Sequence, residues 1–149
     1  MITKKTLIEN KLKNSIILTE QKDGKNKDYV EMISLLLHSR TQAHILHWQT
    51  KSQSSFAEHM ALNGYYDGIV DLVDGLVESY QGKYDILTGY KSYDIVSYTN
   101  NENTIKYLQD LYSKVEKLRK CCDESYIQNQ IDAVCELINS TLYKLRFLK

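Results

Sequence analysis

The sequence predicts an all-α protein with one domain, a four-helix bundle that has a long connection between its second and third helices. Three observations lead to this prediction. The 149 residues include no proline, which is compatible with long uninterrupted helices. Apolar residues recur at steps of three and four along four segments, as they do in amphipathic helices. A stretch of about 20 residues between two of these segments lacks that spacing, and a bundle needs such a connection when its second and third helices run parallel.

The first 27 residues are rich in lysine and precede the predicted bundle. Seven lysines against three acids give residues 1–27 a net charge of +4, and because the whole chain is neutral the rest carries −4. A turn is predicted at Asp23-Gly24-Lys25-Asn26. We therefore expect a basic arm or a short extra helix at residues 1–27 and the bundle at residues 28–149. The arm has a short apolar helical pattern, at Leu7, Ile8, Leu12 and Ile16.

The first bundle helix is predicted at about Asp28–Trp48 and the second at about Ser55–Gln81, with a short polar turn between them. Ser55, with Glu58 three residues later, is typical of a capping box at the start of a helix. The residues expected to face the core are Tyr29, Met32, Ile33, Leu36, Leu37 and Ile45 in the first helix, and Leu62, Tyr65, Ile69, Val73, Leu76 and Tyr80 in the second.

The long connection, Gly82 to Asn103, is rich in tyrosine and is interrupted by Gly89. The third helix is predicted at about Thr104–Cys121 and the fourth at about Glu124–Phe147. Their expected core residues are Ile105, Leu108, Leu111, Val115 and Leu118, followed by Ile127, Ile131, Val134, Ile138, Leu142 and Leu145.

Composition excludes few classes of protein. The absence of a long apolar run argues against a membrane span, and the N-terminus has no signal-peptide pattern, so a cytoplasmic protein is expected. Twelve tyrosines, many lysines and asparagines, and only three arginines suggest an AT-rich genome, in a low-GC bacterium or in a bacteriophage that expresses the protein in its host's cytoplasm. Cys121, Cys122 and Cys135 lack CxxC spacing and are interpreted as small buried thiols.

Four residues in the middle of the chain have the chemistry of metal ligands. His47, His59, Asp74 and Glu78 follow one another at separations of twelve, fifteen and four residues. Imidazole nitrogen combined with carboxylate oxygen suits iron, zinc or manganese. His47 is expected at the end of the first helix and His59 at the start of the second, so the short turn should bring the two imidazoles together.

One chain cannot close this site if the second helix is continuous. His59 and Asp74 would then lie about 22 Å apart along the helix axis. A second copy, antiparallel and related by a two-fold axis, would place the histidines of one chain beside Asp74 and Glu78 of the other. Three mid-helix glycines are tolerable in this stretch if they let another helix approach closely: Gly64, Gly68 and Gly75.

The pair His47-Trp48, followed by His59 and then by Asp74 and Glu78, resembles the Dps family, the mini-ferritins that protect DNA in starved bacteria. The likeness covers roughly residues 35–87. In that family these positions form a ferroxidase centre between two-fold related subunits. The resemblance implies a ferritin-like four-helix bundle that binds iron, oxidises Fe²⁺ with peroxide or oxygen, stores ferric iron, and assembles into a dodecameric shell from two-fold dimers.

The resemblance also implies roles for two further residues. Trp48 would lie near the site and intercept radicals. Asn63 departs from the family's pattern, which has an aspartate four residues after the second histidine. Asparagine offers only a neutral carbonyl oxygen, so the second iron position is expected to be weak. The Glu-x-x-His motif of larger ferritins is absent, because Gln81 follows three residues after Glu78.

A second interpretation stays open at the level of sequence. The chain could be a non-catalytic bundle with a structural or interaction role, on which the same residues are vestigial ligands. Its basic arm could associate with DNA phosphates, but three acids interrupt the lysines and the arm has no arginine. The arm is otherwise a solvated segment or an additional interface helix.

Overall fold

The computed structural model describes residues 4–51 and 55–148, apart from the side chains of Lys4, Gln21, Lys22 and Ser55. The described part is all-α and contains no strand, which confirms the predicted helical bundle. The helices are α1 (Lys4–Gln49), α2 (Ser55–Lys83), α3 (Asn101–Leu118) and α4 (Ser125–Phe147), and a short 3₁₀ turn, Arg119–Cys121, follows α3. None of the described helices has an apolar stretch long enough to cross a membrane.

The first helix begins far earlier than expected, and the predicted turn at Asp23-Gly24-Lys25-Asn26 is wrong. These residues lie inside α1, and Gly24 has the negative φ of the helix around it. A glycine inside a helix costs only about 1 kcal/mol relative to alanine, too little to stop a helix that has no proline. Burial still begins near the expected boundary: residues 5–20 are exposed, and Tyr29 is the first buried side chain among the described residues. Residues 5–27 are called the N-terminal extension below.

The core agrees with the predicted apolar periodicity at nearly every position. All six residues expected in α2 and all six expected in α4 are buried. In α3, Leu108, Leu111 and Val115 are buried, while Ile105 and Leu118 pack against the core from its edge. In α1 the prediction is wrong for Leu37, which is 49% exposed, and Ile45 is only half-buried.

The four helices are arranged so that α1 is antiparallel to both α2 and α3. Tyr29, near the middle of α1, donates a hydrogen bond to the carbonyl of Leu76 near the end of α2 (2.9 Å). His38 of α1 lies against Tyr107 of α3, and Leu35, earlier in α1, shares a groove with Lys114, later in α3. Two helices antiparallel to the same neighbour run parallel to each other. The chain must therefore cross the length of the bundle between α2 and α3.

That crossing is made by residues 84–100, which form neither helix nor strand. Side chains of α1 accept hydrogen bonds from its backbone: Ser34 from the N–H of Lys91 (2.9 Å), and Gln42 from that of Val96 (2.8 Å). Gln42 also donates to the carbonyl of Val96 (2.7 Å). The backbone of this connection makes no helix or sheet hydrogen bonds of its own, so polar side chains of α1 supply hydrogen-bond partners to it.

The third and fourth helices begin and end close to the predicted positions. The Asn100 side chain accepts a hydrogen bond from the N–H of Asn103 (2.9 Å) and caps α3 a few residues before the predicted start. Cys121, Cys122 and Cys135 are buried free thiols, as expected.

Candidate metal centre

His47 and His59 face each other where α1 ends and α2 begins. Their rings stack with centroids 3.5 Å apart and planes inclined by 24°. His47 is buried and His59 is half-buried. The predicted convergence of the two imidazoles across the turn is therefore confirmed.

Each histidine is oriented by the backbone of the other. Nδ1 of His47 lies 2.8 Å from the carbonyl oxygen of His59, and Nδ1 of His59 lies 3.1 Å from that of His47. A carbonyl only accepts, so both Nδ1 atoms carry the proton and both Nε2 atoms have a free lone pair. Neither Nε2 has a hydrogen-bond partner among the described residues. Metal-binding histidines typically have this arrangement, with the second nitrogen fixed by a carbonyl or carboxylate.

The two carboxylates of the predicted site lie far from the histidines along the same helix. Because α2 is continuous from Ser55 to Lys83, the fifteen residues from His59 to Asp74 correspond to about 22 Å. Asp74 and Glu78 are both exposed. Within the described part of one chain, no three His, Cys, Asp or Glu side chains are grouped closely enough to hold a metal ion.

Asn63 has two polar partners that the sequence did not single out. Its Nδ2 donates to the carboxylate of Asp67 (2.7 Å), and its Oδ1 accepts from the Tyr66 hydroxyl (3.1 Å). The carbonyl oxygen that was expected to serve a weak second iron position is thus already used. The only feature of the sequence that indicates this contact is the four-residue spacing of Asn63 and Asp67, which places both side chains on one face of a helix.

Trp48 projects into solvent beside the histidine pair and is 68% exposed. Its ring lies 4.3 Å from that of His44, and His44 stacks on Tyr66 at 4.0 Å. Tyr66 in turn meets His47 edge to face at 5.3 Å. An aromatic path therefore leads from Trp48 to His47 through two residues that the sequence analysis did not assign to the site.

Glu58, which precedes His59, holds the start of α2 against the crossover. The Tyr98 hydroxyl donates to its carboxylate (3.0 Å). Burial raises the pKa of this carboxyl above its ordinary value, and hydrogen bonds from Tyr98 and Thr104 oppose that rise. The predicted capping partner, the Ser55 side chain, lies outside the described residues.

Three glycines of α2, at positions 64, 68 and 75, have their nearest neighbours in α4 of the same chain. A Cβ at Gly68 would lie 3.4 Å from the Leu137 side chain, one at Gly64 would lie 3.9 Å from Nζ of Lys144, and one at Gly75 would lie 3.8 Å from Gln130. At Gly68 the neighbour of the same chain that approaches closely is thus α4, while Gly64 and Gly68 remain exposed, and the approach of a second copy stays a prediction.

An apolar groove of about 390 Å³ runs between α1 and α2. It is lined by the side chains of Leu37 and Val70, which are 49% and 40% exposed, and by Asp74. A bundle helix with such residues on its outer face has an apolar surface available to another molecule.

These features define an all-α bundle with a preformed histidine pair at one end. The chain belongs to the family of unknown function DUF5856, whose model matches residues 47–145. The matched region begins at His47 and includes α2, the crossover, α3 and most of α4. A search of curated proteins found no match.

Proposed function

We propose that this chain is a Dps-like mini-ferritin with a ferritin-like bundle, which binds Fe²⁺ as a substrate between two copies and oxidises it. The observation that carries the proposal is the histidine pair. Both Nδ1 atoms are held by carbonyl oxygens, and both Nε2 atoms are left to bind an ion. A pair of histidines with ordinary structural roles does not require this shared tautomer.

The topology supports a ferritin-like fold. Helices α2 and α3 run parallel and are joined by a crossover along α1, the connection that distinguishes ferritin-like bundles from simple up-down bundles. The crossover lies along the outer side of α1, where Ser34 and Gln42 bind it.

The site needs a second copy to supply acids. In the proposed dimer, His47 and His59 of one chain meet Asp74 and Glu78 of the other across a two-fold axis. The groove lined by Leu37, Val70 and Asp74 supplies apolar area for that contact. Six such dimers would build the dodecameric shell that the resemblance to the Dps family implies.

The proposed reaction balances with peroxide as the oxidant. Two Fe²⁺ ions each give one electron to a hydrogen peroxide molecule, which takes up two protons and becomes two molecules of water; the Fe³⁺ is retained within the shell. The chain's own residues bind and orient Fe²⁺, and Trp48, exposed beside the site, takes up an oxidising equivalent that escapes.

Iron oxidation by variants of the purified protein tests this proposal. His47→Asn and His59→Asn should each slow peroxide-dependent formation of Fe³⁺ by at least about tenfold. Even the loss of a residue that only supports a metal ligand typically costs 10-fold to 100-fold in metal affinity or activity, and these substitutions remove a ligand itself. His38→Asn is the matched control, since His38 packs on Tyr93 and Tyr107 away from the pair. Equal rates in all three variants would contradict the proposal.

Mixing two inactive variants tests whether the site is shared. One variant carries His59→Asn, and the other carries Asp74→Asn with Glu78→Gln. After dissociation and random reassembly, half of the dimers are mixed and one of their two sites is complete, so about a quarter of the wild-type activity should return. No recovery, despite mixed dimers detected by native mass spectrometry, would mean that the site is not built across the dimer.

A further inference from the structure

Cys121 and Cys122 lie together where α3 ends, and the proposed iron site does not use them. Their sulfur atoms are 3.5 Å apart, and the side chains are buried. The pair is close to Tyr29 and Lys25 of α1. His47 is eighteen residues further along α1 than Tyr29, which corresponds to about 27 Å. The pair therefore lies at the opposite end of the bundle from the histidines.

We propose that Cys121 and Cys122 form a peroxide-sensitive dithiol that is oxidised reversibly to a disulfide between adjacent residues. Cys122 is the attacking sulfur and Cys121 is the sulfur that resolves the intermediate. This site rests on the geometry of the sulfur pair and does not depend on the proposed iron chemistry.

The surroundings distinguish the two sulfurs. The hydrogen bond from the Cys121 thiol lowers the pKa of Cys122; burial opposes this, and the nearby Lys25 ammonium, partly offset by Asp123, lowers the pKa further. The same contact, together with burial, raises the pKa of Cys121. Thiolate is the reactive form of cysteine, so Cys122 is the nucleophile of the pair.

Cys135 provides an internal comparison. It is also buried, but its thiol faces the carboxylate of Glu116 at 3.3 Å. Burial, followed by this hydrogen bond, raises the pKa of Cys135 to about 12. Cys135 should therefore remain a thiol under conditions that oxidise the pair.

The oxidation proceeds in two balanced steps. The Cys122 thiolate attacks one oxygen of hydrogen peroxide, the O–O bond breaks, and the departing hydroxide is protonated to water, which leaves a sulfenic acid. The Cys121 sulfur then attacks the Cys122 sulfur, the S–O bond breaks, and a second water leaves with the Cys121 proton. The pair loses two electrons, and peroxide gains them.

The product would be a strained disulfide that thiols reduce readily. The sulfurs must close from 3.5 Å to about 2.05 Å. Adjacent Cα atoms are only about 3.8 Å apart, shorter than the separation of about 4.4–6.8 Å that relaxed disulfides adopt. Strained disulfides have more oxidising potentials, which suits a reversible response and not a structural bridge.

Closing this ring would act on the turn between α3 and α4. The Gln128 side chain donates to the carbonyls of both Arg119 (2.8 Å) and Cys122 (2.6 Å), and it accepts from the Arg119 guanidinium (2.9 Å). A new bond at Cys122 shifts the backbone that Gln128 holds.

Peptide mapping of the iron-free full chain tests the proposal. After brief treatment with hydrogen peroxide, the protein is denatured, labelled with N-ethylmaleimide and cut after glutamate, which places the pair in residues 117–124 and Cys135 in residues 125–136. The first peptide should lose the mass of two hydrogen atoms, take no label and recover both thiols after treatment with dithiothreitol. The second peptide should take one label. The pair should react at least about tenfold faster than Cys135.

Two variants assign the roles of the sulfurs. Cys121→Ser should accumulate a sulfenic acid at Cys122 that dimedone traps, and Cys122→Ser should give at least about tenfold less trapping at Cys121. Equal oxidation of all three cysteines, overoxidation of the pair without a disulfide, or equal trapping in both variants would overturn the proposal. Because iron is absent throughout, these results are independent of the iron-oxidation tests.

Discussion

At the residue scale, the histidine pair depends on two backbone carbonyls and not on neighbouring charges. His47 and His59 each donate to the carbonyl of the other, so the turn between α1 and α2 fixes both tautomers together. Any change that separates the end of α1 from the start of α2 would release both rings. The geometry of this turn is therefore as important to the proposed site as the ligands themselves.

Asn63→Asp tests the expectation that the second iron position is weak because Asn63 stands where the Dps pattern has an aspartate. The new carboxylate could bind a cation, and we expect more Fe²⁺ bound per dimer than in the wild type. The variant also loses the donor that Asn63 gives to Asp67, and like charges four residues apart on a helix destabilise it by about 0.2–0.5 kcal/mol. Isothermal titration with Fe²⁺ under anaerobic conditions measures the stoichiometry, and urea unfolding measures the stability.

Asn63→Ala is the control for this variant, because it removes the same hydrogen bond without adding a carboxylate. If Asn63→Asp and Asn63→Ala bind equal amounts of Fe²⁺, position 63 does not face the bound ion. That result would contradict a second iron position at Asn63.

Glu58→Gln should change how stability depends on pH. Burial raises the pKa of Glu58 in the folded protein, so folding favours the protonated carboxyl. That contribution is fully present below the unfolded pKa and is lost as pH rises through the folded pKa. The stability of Glu58→Gln relative to the wild type should therefore increase as pH rises from about 4.5 and then become constant.

Urea unfolding of the metal-free protein at a series of pH values measures this difference. Any fixed cost of burying the new amide displaces the curve equally at every pH. Glu136→Gln, at an exposed carboxyl in α4 that does not act on the pKa of Glu58, is the matched control and should follow the wild type. Parallel curves for Glu58→Gln and the wild type would contradict the assigned pKa direction.

At the scale of elements, α1 combines two different environments in one helix. From Tyr29 onward it packs in the core, whereas residues 5–20 are exposed. The ion pair of Lys25 with Asp123 (2.7 Å) links the end of the N-terminal extension to the turn before α4. Because both side chains are largely exposed, solvent screens their attraction and the pair contributes little to stability.

Deleting residues 1–27 should leave the bundle folded. The described part of the deleted segment includes no buried side chain, so thermal unfolding should shift only by the small contribution of the exposed ion pair. If the alternative DNA-associated role holds, the intact protein should shift DNA in a gel at low salt and the deleted form should not. For each tenfold rise in salt concentration, the affinity for DNA should fall by a factor of about 10^0.9 for every phosphate that the extension contacts.

Lys→Gln substitutions at Lys5, Lys11 and Lys13 are the matched control, because they keep the length of the extension and remove only charge. Retained DNA binding in the deleted protein, or none in the intact protein, would exclude the extension as a DNA-binding element. The proposed iron function would be unaffected by either result.

At the scale of the whole molecule, the proposed function depends on a second copy, because α2 separates its histidines from its acids. Val70→Lys should weaken the proposed dimer, since it places a charge in the groove beside Leu37. A loss of at least about 1.4 kcal/mol in association corresponds to a tenfold weaker dimer. Peroxide-dependent Fe²⁺ oxidation should fall together with dimer content, while the helical circular dichroism stays unchanged because Val70 is already exposed.

Tyr143→Lys provides the comparison for Val70→Lys. Tyr143 is 55% exposed on α4, away from the groove, so this variant should keep the wild-type mass and activity. Native mass spectrometry with and without Fe²⁺ measures assembly. A dimer of unchanged strength in Val70→Lys would show that the groove between α1 and α2 is not the interface.

Much of the fold and part of the site could be predicted from local patterns. The apolar steps of three and four gave the four helices and most of the core, because a helix face repeats with its own geometry whatever packs against it. The absence of that pattern predicted the crossover. The short turn predicted that His47 and His59 meet, because two helices joined by so few residues must be neighbours.

The tertiary structure decided what depends on side chains distant in sequence. Gly24 is helical although its local chemistry is typical of a turn, and Gly68 lies against Leu137 of α4. Ser34 and Gln42 bind the crossover across more than fifty residues, and Glu58 turns toward Tyr98. These partners are chosen by which surfaces the packed helices bring together, and periodicity within one segment carries no information about the neighbour that its polar residues will meet.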